Sequence, residues 1–584
     1  VLPAEGVAAM KLRYNGFLLL AAAMLLTGML AVGCSTTQKA SDAQDNVSET
    51  VSAAQPGEDS EQGGGNKVSV PTAPEGTIFG AQKITSDEFL NLIAEKKYVS
   101  PAKFGLVLYY DYAKLPVLSD GKTFFLTVDS DRTEGESWGN GCLSANVDCT
   151  FAVLDDDAQP GLDSIMREGK SLRLYVIADE VYTAPEIIFT TLPVMTIDTH
   201  KGKGISREDT PCDITVLTPR NGSSAAYTDA SAAMIRIRGA TSSSLPKTSL
   251  RLTLYKDDYS DTNKLPLLGM RKDDDWILYA SYSDEAKIRD ATGWSLWSKM
   301  GAYIVGDKAQ GTINLRYTEV ILNGHYNGFY VFMERFDQKT LNLGEDDALF
   351  VVKTWEVPPS DQMRELPPAT TFFVGVERKY PDADEIKVGG YSGWGTFADF
   401  VKAVYESDGE TFRKTIDKCA NVQNMLDYWL YLQIIMGEDN LWKNTFYAVI
   451  GGYVHSFPWD LDVTFGLRWN GGVKNYLYQD KNTAVKSFDF NCGRRLIKYY
   501  PGAANYVKNR WRELYDNGIV TAQGIMEIAR GYWDDLWRSG AYQRNLMRWP
   551  DTSYVEDLDY FETTMKRRIE YLDDYIASLT DAGE

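Results

Sequence analysis

The chain has 584 residues, 44% of them hydrophobic, enough to bury ordinary cores in two or three domains, which excludes a disordered or fibrous protein. Its 81 acidic against 60 basic side chains give a formal charge of -21, which repels nucleic acid and anionic lipid over most of the surface. Nucleic acid is therefore not an expected partner, and any phosphate pocket must be a local basic island.

Lys11 and Arg13 precede an apolar run, Phe17 to Val32, that ends in Leu30-Ala31-Val32-Gly33-Cys34. A basic segment, a short apolar segment and small residues before a cysteine read as an export signal. The run has 16 residues, against about 20 for a membrane span. Cys34 resembles the position at which bacterial lipoproteins are cleaved and acylated. Residues 1–34 are thus expected to be a lipoprotein signal with Cys34 the lipid attachment site, a retained helix being the alternative, and the rest to be extracytoplasmic, anchored to a bacterial membrane. Residues 35–77 are mostly Ser, Thr, Gln, Asp, Glu and Gly, with no aromatic side chain. They cannot offset their ordering entropy by burial and read as a disordered tether.

Residues 78–192 are expected to form a small α+β or β-rich accessory domain of unknown role. Ser86 can cap a helix carrying Phe89, Leu92 and Ile93, and strands are expected at 104–112, 123–128 and 172–177. Cys142 and Cys149 frame a short loop and make the local disulfide candidate, free thiols being the alternative.

From 193 to 584 short strands come early and long helices late. Strands are expected at 233–238, 250–255, 318–323 and 328–334, helices at 287–300 and 422–436. In the last helix Ser553 and Glu556 have capping-box spacing, and Leu558, Phe561, Met565, Ile569, Leu572, Ile576 and Leu579 trace one apolar stripe. The fold class is α+β, with a cleft between a strand-rich and a helix-rich lobe.

The stretch that carries chemistry is Asp439-Asn440-Leu441-Trp442-Lys443-Asn444, then a β-rich run, Gly451-Gly452, a second run and Pro458-Trp459-Asp460-Leu461-Asp462. Gly-Gly between two such runs signals a two-residue hairpin. Ile450 then faces Tyr453, Asn444 pairs with Trp459, and Asn444 and Asp460 meet at the open end. An acid, an amide five residues on and a carboxylate across a hairpin suit phosphoryl transfer: Asp439 to orient or deprotonate an acceptor hydroxyl, Asn444 and Asp460 to bind Mg. The same residues could be ordinary turn and edge positions. Upstream, Arg238-Gly239-Ala240-Thr241-Ser242-Ser243-Ser244 leads to Pro246-Lys247 and a strand, the kind of small-residue loop whose backbone approaches phosphates, or else a surface hairpin. His325 and His455 are lone histidines beside strands and read as structural.

Taken in order, Arg238-Gly239 with the serine run and Pro246-Lys247, Leu268-Gly269, Asp275-Trp276-Ile277-Leu278, Ile288-Arg289-Asp290, Asn323-Gly324, Gly328-Phe329-Tyr330, Glu334, and Trp459-Asp460-Leu461-Asp462 with Gly466 resemble the CotH kinase family, relatives of spore coat protein H. The resemblance implies an atypical protein-kinase-like fold using ATP and Mg, with protein Ser or Thr hydroxyls as acceptors. By position it implies that Lys247 holds the nucleotide phosphates under a loop of Arg238, Gly239, Ser242 and Ser243, that Asp439 is the catalytic acid/base, and that Asn444 and Asp460 bind Mg. Asp462 becomes a second metal ligand or a structural carboxylate, Glu334 a hinge residue against the adenine or a strand-end charge, and Asp284 or Glu285 a partner for Lys247. Two other readings stay open: a surface binding protein that keeps the fold without turnover, and a glycan hydrolase using Asp439 and Asp460 as an acid/base pair.

Overall fold

The alternating segments at 233–238 and 250–255 do form strands, and they belong to a barrel. The computed structural model describes residues 73–130, 141–158, 161–221, 225–301, 311–384, 390–467, 488–550 and 558–582, with short pieces at 304–305, 308–309 and 386. Cys34, most of the 35–77 tether, and the cap pair Ser553 and Glu556 lie outside the described residues. Seven strands, β1 (Val194–Thr199), β2 (Thr210–Thr218), β3 (Tyr227–Ile237), β4 (Leu250–Tyr255), β5 (Asp275–Tyr279), β6 (Leu315–Leu322) and β7 (His325–Glu334), close in the order β1-β2-β3-β4-β5-β7-β6. All neighbours are antiparallel except β6 and β1, which meet in parallel, Val194 beside Glu319. Alternate side chains, among them Met195, Ile197, Ile235, Leu252, Leu254, Trp276 and Phe332, fill the interior. Helices and sheets are both present, as an α+β class requires, and the strands of this part close into a barrel. The physical reason is β1, whose short Val-Met-Thr-Ile run bridges β2 and β6 and leaves neither with an open edge.

Residues 78–192 contribute small sheets that share an apolar core with the barrel. Phe125 stacks on Tyr326 at 5.7 Å, and Leu108, Phe124 and Phe189 pack in one cluster with Val194, Leu217 and Ile321. Their first helix, Ser86–Ile93, is capped one residue earlier than expected: Thr85 accepts from the Glu88 N–H, and the Glu88 carboxylate accepts from the Thr85 N–H. The strand expected over 104–112 shrinks to Leu108–Tyr110, because Ser100-Pro101 starts a helical turn that Gly105 ends in the left-handed region. Cys142, Cys149, Cys212, Cys419 and Cys492 are all free thiols, so the 142–149 loop is not closed by a disulfide.

Beyond the barrel a second sheet has the order β9-β10-β8-β11-β12, with β8 at Ala348–Val352, β9 at Phe372–Phe373, β10 at Val376–Tyr380, β11 at Thr445–Ile450 and β12 at Tyr453–Pro458. Four helices frame it and the barrel: α1 (Arg289–Met300), α2 (Val422–Ile435), α3 (Ala541–Arg548) and α4 (Leu558–Ala577). Helix α2 is buried on nearly every side, its buried Asn424, Asp427 and Gln433 included, and the α4 stripe Phe561, Met565, Ile569, Leu572 and Ile576 is buried against the same core. Helix α3 holds the barrel through Arg544, which donates to both carboxylate oxygens of Glu319 at 2.9 and 2.6 Å, both side chains being buried. The chain passes from barrel to second sheet at 334–337, where Phe336 stacks on Phe446 at 4.6 Å. Among the described residues no helix is long and apolar enough to cross a membrane.

Candidate active site

The hairpin β11–β12 sets the site. Gly451 and Gly452 both take positive φ, 57° and 87°, the backbone a two-residue turn of matching twist needs. The register runs from Ile450 opposite Tyr453 to Thr445 opposite Pro458, so Asn444 and Trp459 come next at the open end. There Asn440, almost wholly buried, donates both amide hydrogens, one to the Asn444 carbonyl at 3.1 Å and one to the Trp459 carbonyl at 2.6 Å. Asn444 and Asp460, at φ 53° and 60°, leave the ladder in left-handed conformations that asparagine and aspartate tolerate. One side-chain amide thus ties the two lips of the hairpin together immediately before Asp460.

Asp439, on the short turn that follows α2, is held by two donors: the Lys443 ammonium reaches its Oδ2 at 2.9 Å and the Asn444 amide at 2.7 Å. Asp460 faces Arg238, Asp439 and Lys443; burial raises its carboxyl above the usual range, Arg238 opposes that rise, and Asp439 adds to it. Asp462 is pushed well up by burial and then by Asp460, Asp290 and Asp284, with the Tyr279 hydroxyl against it. Asp290, in the first turn of α1, accepts the Leu461 N–H at 2.9 Å and so fixes the peptide between Asp460 and Asp462. Burial pushes Asp290 up to about 7, and among the described residues its buried Oδ2 receives no hydrogen bond. Arg289 beside it forms a fully buried pair with Asp284 at 2.6 Å. The Arg238 guanidinium lies 5.4 Å over the Trp459 ring; burial pulls it down from its ordinary value while Asp460 and Asp290 act the other way.

The residues expected around the nucleotide divide. Gly239 has φ 97°, and a Cβ there would fall 2.3 Å from Ser242 Oγ. The serine run makes a single tight turn, Thr241–Ser244, in which Ser243 Oγ donates to the Ala240 carbonyl at 2.7 Å and receives Arg207. Lys247 is not brought to the acid cluster. Its ammonium donates to the Phe329 carbonyl and, at 2.9 Å, to Asn545 Oδ1 on α3, between the rings of Phe329 and Tyr330. Asp284 pairs with Arg289 rather than with Lys247. Glu334 lies in the barrel-to-sheet connection, and its carboxylate accepts the N–H groups of Arg271 at 3.1 Å and Asn314 at 2.9 Å. His455 is buried with Nδ1 2.9 Å from the Tyr453 carbonyl, burial drawing it down to about 4. Among the described residues no three His, Cys, Asp or Glu side chains gather as a preformed metal site. Asn440 and Asp290 escape sequence reasoning; the first adjoins Asp439 and the second stands in Ile288-Arg289-Asp290, but neither has a spacing that reveals its backbone partner.

Fold and site together define a mixed α and β protein with a buried carboxylate cluster faced by one arginine that stacks on a tryptophan. The chain belongs to the CotH kinase family: the family model described as CotH kinase protein matches residues 235–579, more than half of its length and every site residue above. No protein of curated function matches it. Membership supports a kinase-like function in general.

Proposed function

We propose that this protein is an ATP- and Mg-dependent protein kinase. It transfers the terminal phosphoryl group of ATP to serine or threonine hydroxyls of an acceptor protein, on the outer side of a bacterial membrane to which a lipid on Cys34 anchors it. The observation that carries the reading is the Asn440 clamp, which sets Asp439, Asn444 and Asp460 around one hairpin mouth opposite Arg238. Hard oxygen donors fit the ion: the carboxylates of Asp284, Asp290, Asp439, Asp460 and Asp462 face the cations of Arg238, Lys287, Arg289 and Lys443, and among the described residues Asp290 keeps a buried oxygen without a donor. Asn444 and Asp460 would hold Mg, with Asp462 as a further ligand. When bound, the ion neutralises phosphate charge and needs few protein ligands because phosphate oxygens fill the rest of its shell.

Asp439 does the proton work. Lys443 and Asn444 both grip Oδ2, which orients the carboxylate and leaves Oδ1, undonated among the described residues, to take the hydroxyl proton of the acceptor. Arg238, held over Trp459, balances Asp460 from the barrel side. The test is transfer of labelled γ-phosphate together with calorimetric ATP binding. Asp439→Asn is expected to lower transfer by about 10²- to 10⁴-fold with ATP affinity little changed, and Asp460→Ala to abolish Mg-dependent thermal stabilisation by ATP. Undiminished transfer in Asp439→Asn, or no thermal shift of the wild type at millimolar ATP, sinks the proposal.

A further inference from the structure

With Lys247 engaged by Phe329 and Asn545, a cleft rich in carboxylates needs other cations if it is to hold a phosphate chain. The second sheet supplies one. Val351 on β8 lies opposite Glu377 on β10 and Phe446 on β11, so these three share a face, and Lys379, in a bulge that breaks the alternation, is held to it by donating to Glu377 at 2.7 Å. That face looks toward the site: Phe446 stacks on Phe336 and meets Trp459 edge-on at 5.3 Å, the ring that carries Arg238. Arg335, the residue before Phe336, supplies a second cation. It stands next to Phe336, which stacks on Phe446 of that face, and its charge bears on both Arg238 and Lys379, so the three cations border the same aromatic group.

The charges around Arg335 and Lys379 do not cancel. Asp275 is shared by Arg335 and by Arg251, which donates to it at 2.8 and 2.6 Å. Glu377 is shared by Lys353 and by Lys379, the latter at 2.7 Å. Each of these two carboxylates answers two cations, so the Arg335 and Lys379 groups each keep positive charge, while Asp273, Asp274 and Asp337 beside them are met by Arg271 and Lys339. The site is therefore split by sign, carboxylates around Asp460 on one side and the Arg335 and Lys379 groups on the other. We propose that Arg335 and Lys379, continuing from Arg238, form the binding row for the polyphosphate chain of a nucleotide. This assignment rests on reading the cleft as an ATP site.

The experiment uses the full chain and calorimetry with three probes, inorganic tripolyphosphate with Mg, ATP with Mg, and adenosine, alongside the transfer assay. A charge-assisted contact is worth about 1.5–3 kcal/mol, or roughly 10- to 100-fold. Lys379→Met and Arg335→Gln are each expected to weaken tripolyphosphate and ATP by about 10-fold or more, to leave adenosine unchanged, and Lys379→Arg is expected to restore binding. Because Arg335 also pairs with Asp275, Lys379→Met decides the matter if Arg335→Gln misfolds. Wild-type tripolyphosphate affinity in Lys379→Met overturns the row, as does an equal loss of adenosine binding or a wild type that binds no tripolyphosphate. Loss of tripolyphosphate binding in the variants of a protein that transfers no phosphate upholds the row and sinks the kinase reading. Full transfer with unweakened tripolyphosphate binding sinks the row alone.

Discussion

Asn440 is the smallest perturbation with the largest expected consequence. Its amide makes two hydrogen bonds that join residues 15 positions apart, the carbonyls of Asn444 and Trp459, and its side chain is almost fully buried. Each such bond contributes about 1 kcal/mol net, and a carbonyl left without its donor costs about 1–3 kcal/mol. Asn440→Ala should therefore lose about 2–4 kcal/mol. Asn440→Asp keeps the shape but turns a carboxylate oxygen toward two carbonyls, so it should cost more and also force Asn444 and Asp460 apart. A displacement on the order of 1 Å at reacting groups lowers rates by about 10²-fold. Urea unfolding gives the first quantity, and γ-phosphate transfer with Mg-ATP calorimetry gives the second. If Asn440→Asp matches the wild type in both stability and Mg-ATP affinity, the clamp does not set the mouth of the hairpin.

Two further expectations concern the frame. Arg544→Met leaves the fully buried Glu319 carboxylate without its partner, so urea unfolding should register a loss of about 3–5 kcal/mol; a loss below about 1 kcal/mol would mean that α3 is not held to the barrel by this pair. Burial pushes the Asp427 carboxyl from 3.8 up to about 6, against Arg510 and Tyr506. Between those values the folded chain keeps a proton that the unfolded chain has released, so stability falls as pH rises through the window and is level above it. Asp427→Asn should remove that slope, gaining on the wild type by on the order of 3 kcal/mol from pH 4 to pH 7, and an unchanged slope in the variant would assign the titration elsewhere.

What was legible in the sequence was whatever neighbours dictate. The hairpin followed from Gly451-Gly452, its register from counting outward, and the α4 stripe from helical spacing. Asn440 was not legible, because its partners are backbone carbonyls that bear no mark in a sequence. Lys247 shows a different limit. A strand, a small-residue loop and a lysine suggest a phosphate contact, but the partner that takes the ammonium, Asn545, comes 298 residues later on α3. Arg335 and Lys379 sit in no motif, and only the meeting of the barrel exit with the second sheet brings them near Arg238. The barrel was not legible because only four of its seven strands, β3, β4, β6 and β7, stood out, and β1, the piece that turns an open sheet into a ring, was not among them.

That ring has a mechanical consequence. In an open sheet an edge strand can slip against its neighbour at the cost of that seam alone, whereas in a closed one a slip at any seam must be compensated at another round the ring. The lip that carries Arg238 and Gly239 therefore hangs on a stiff hoop. Substitutions in the Thr241–Ser244 turn should therefore reshape the lip while the strands beneath it hold their register.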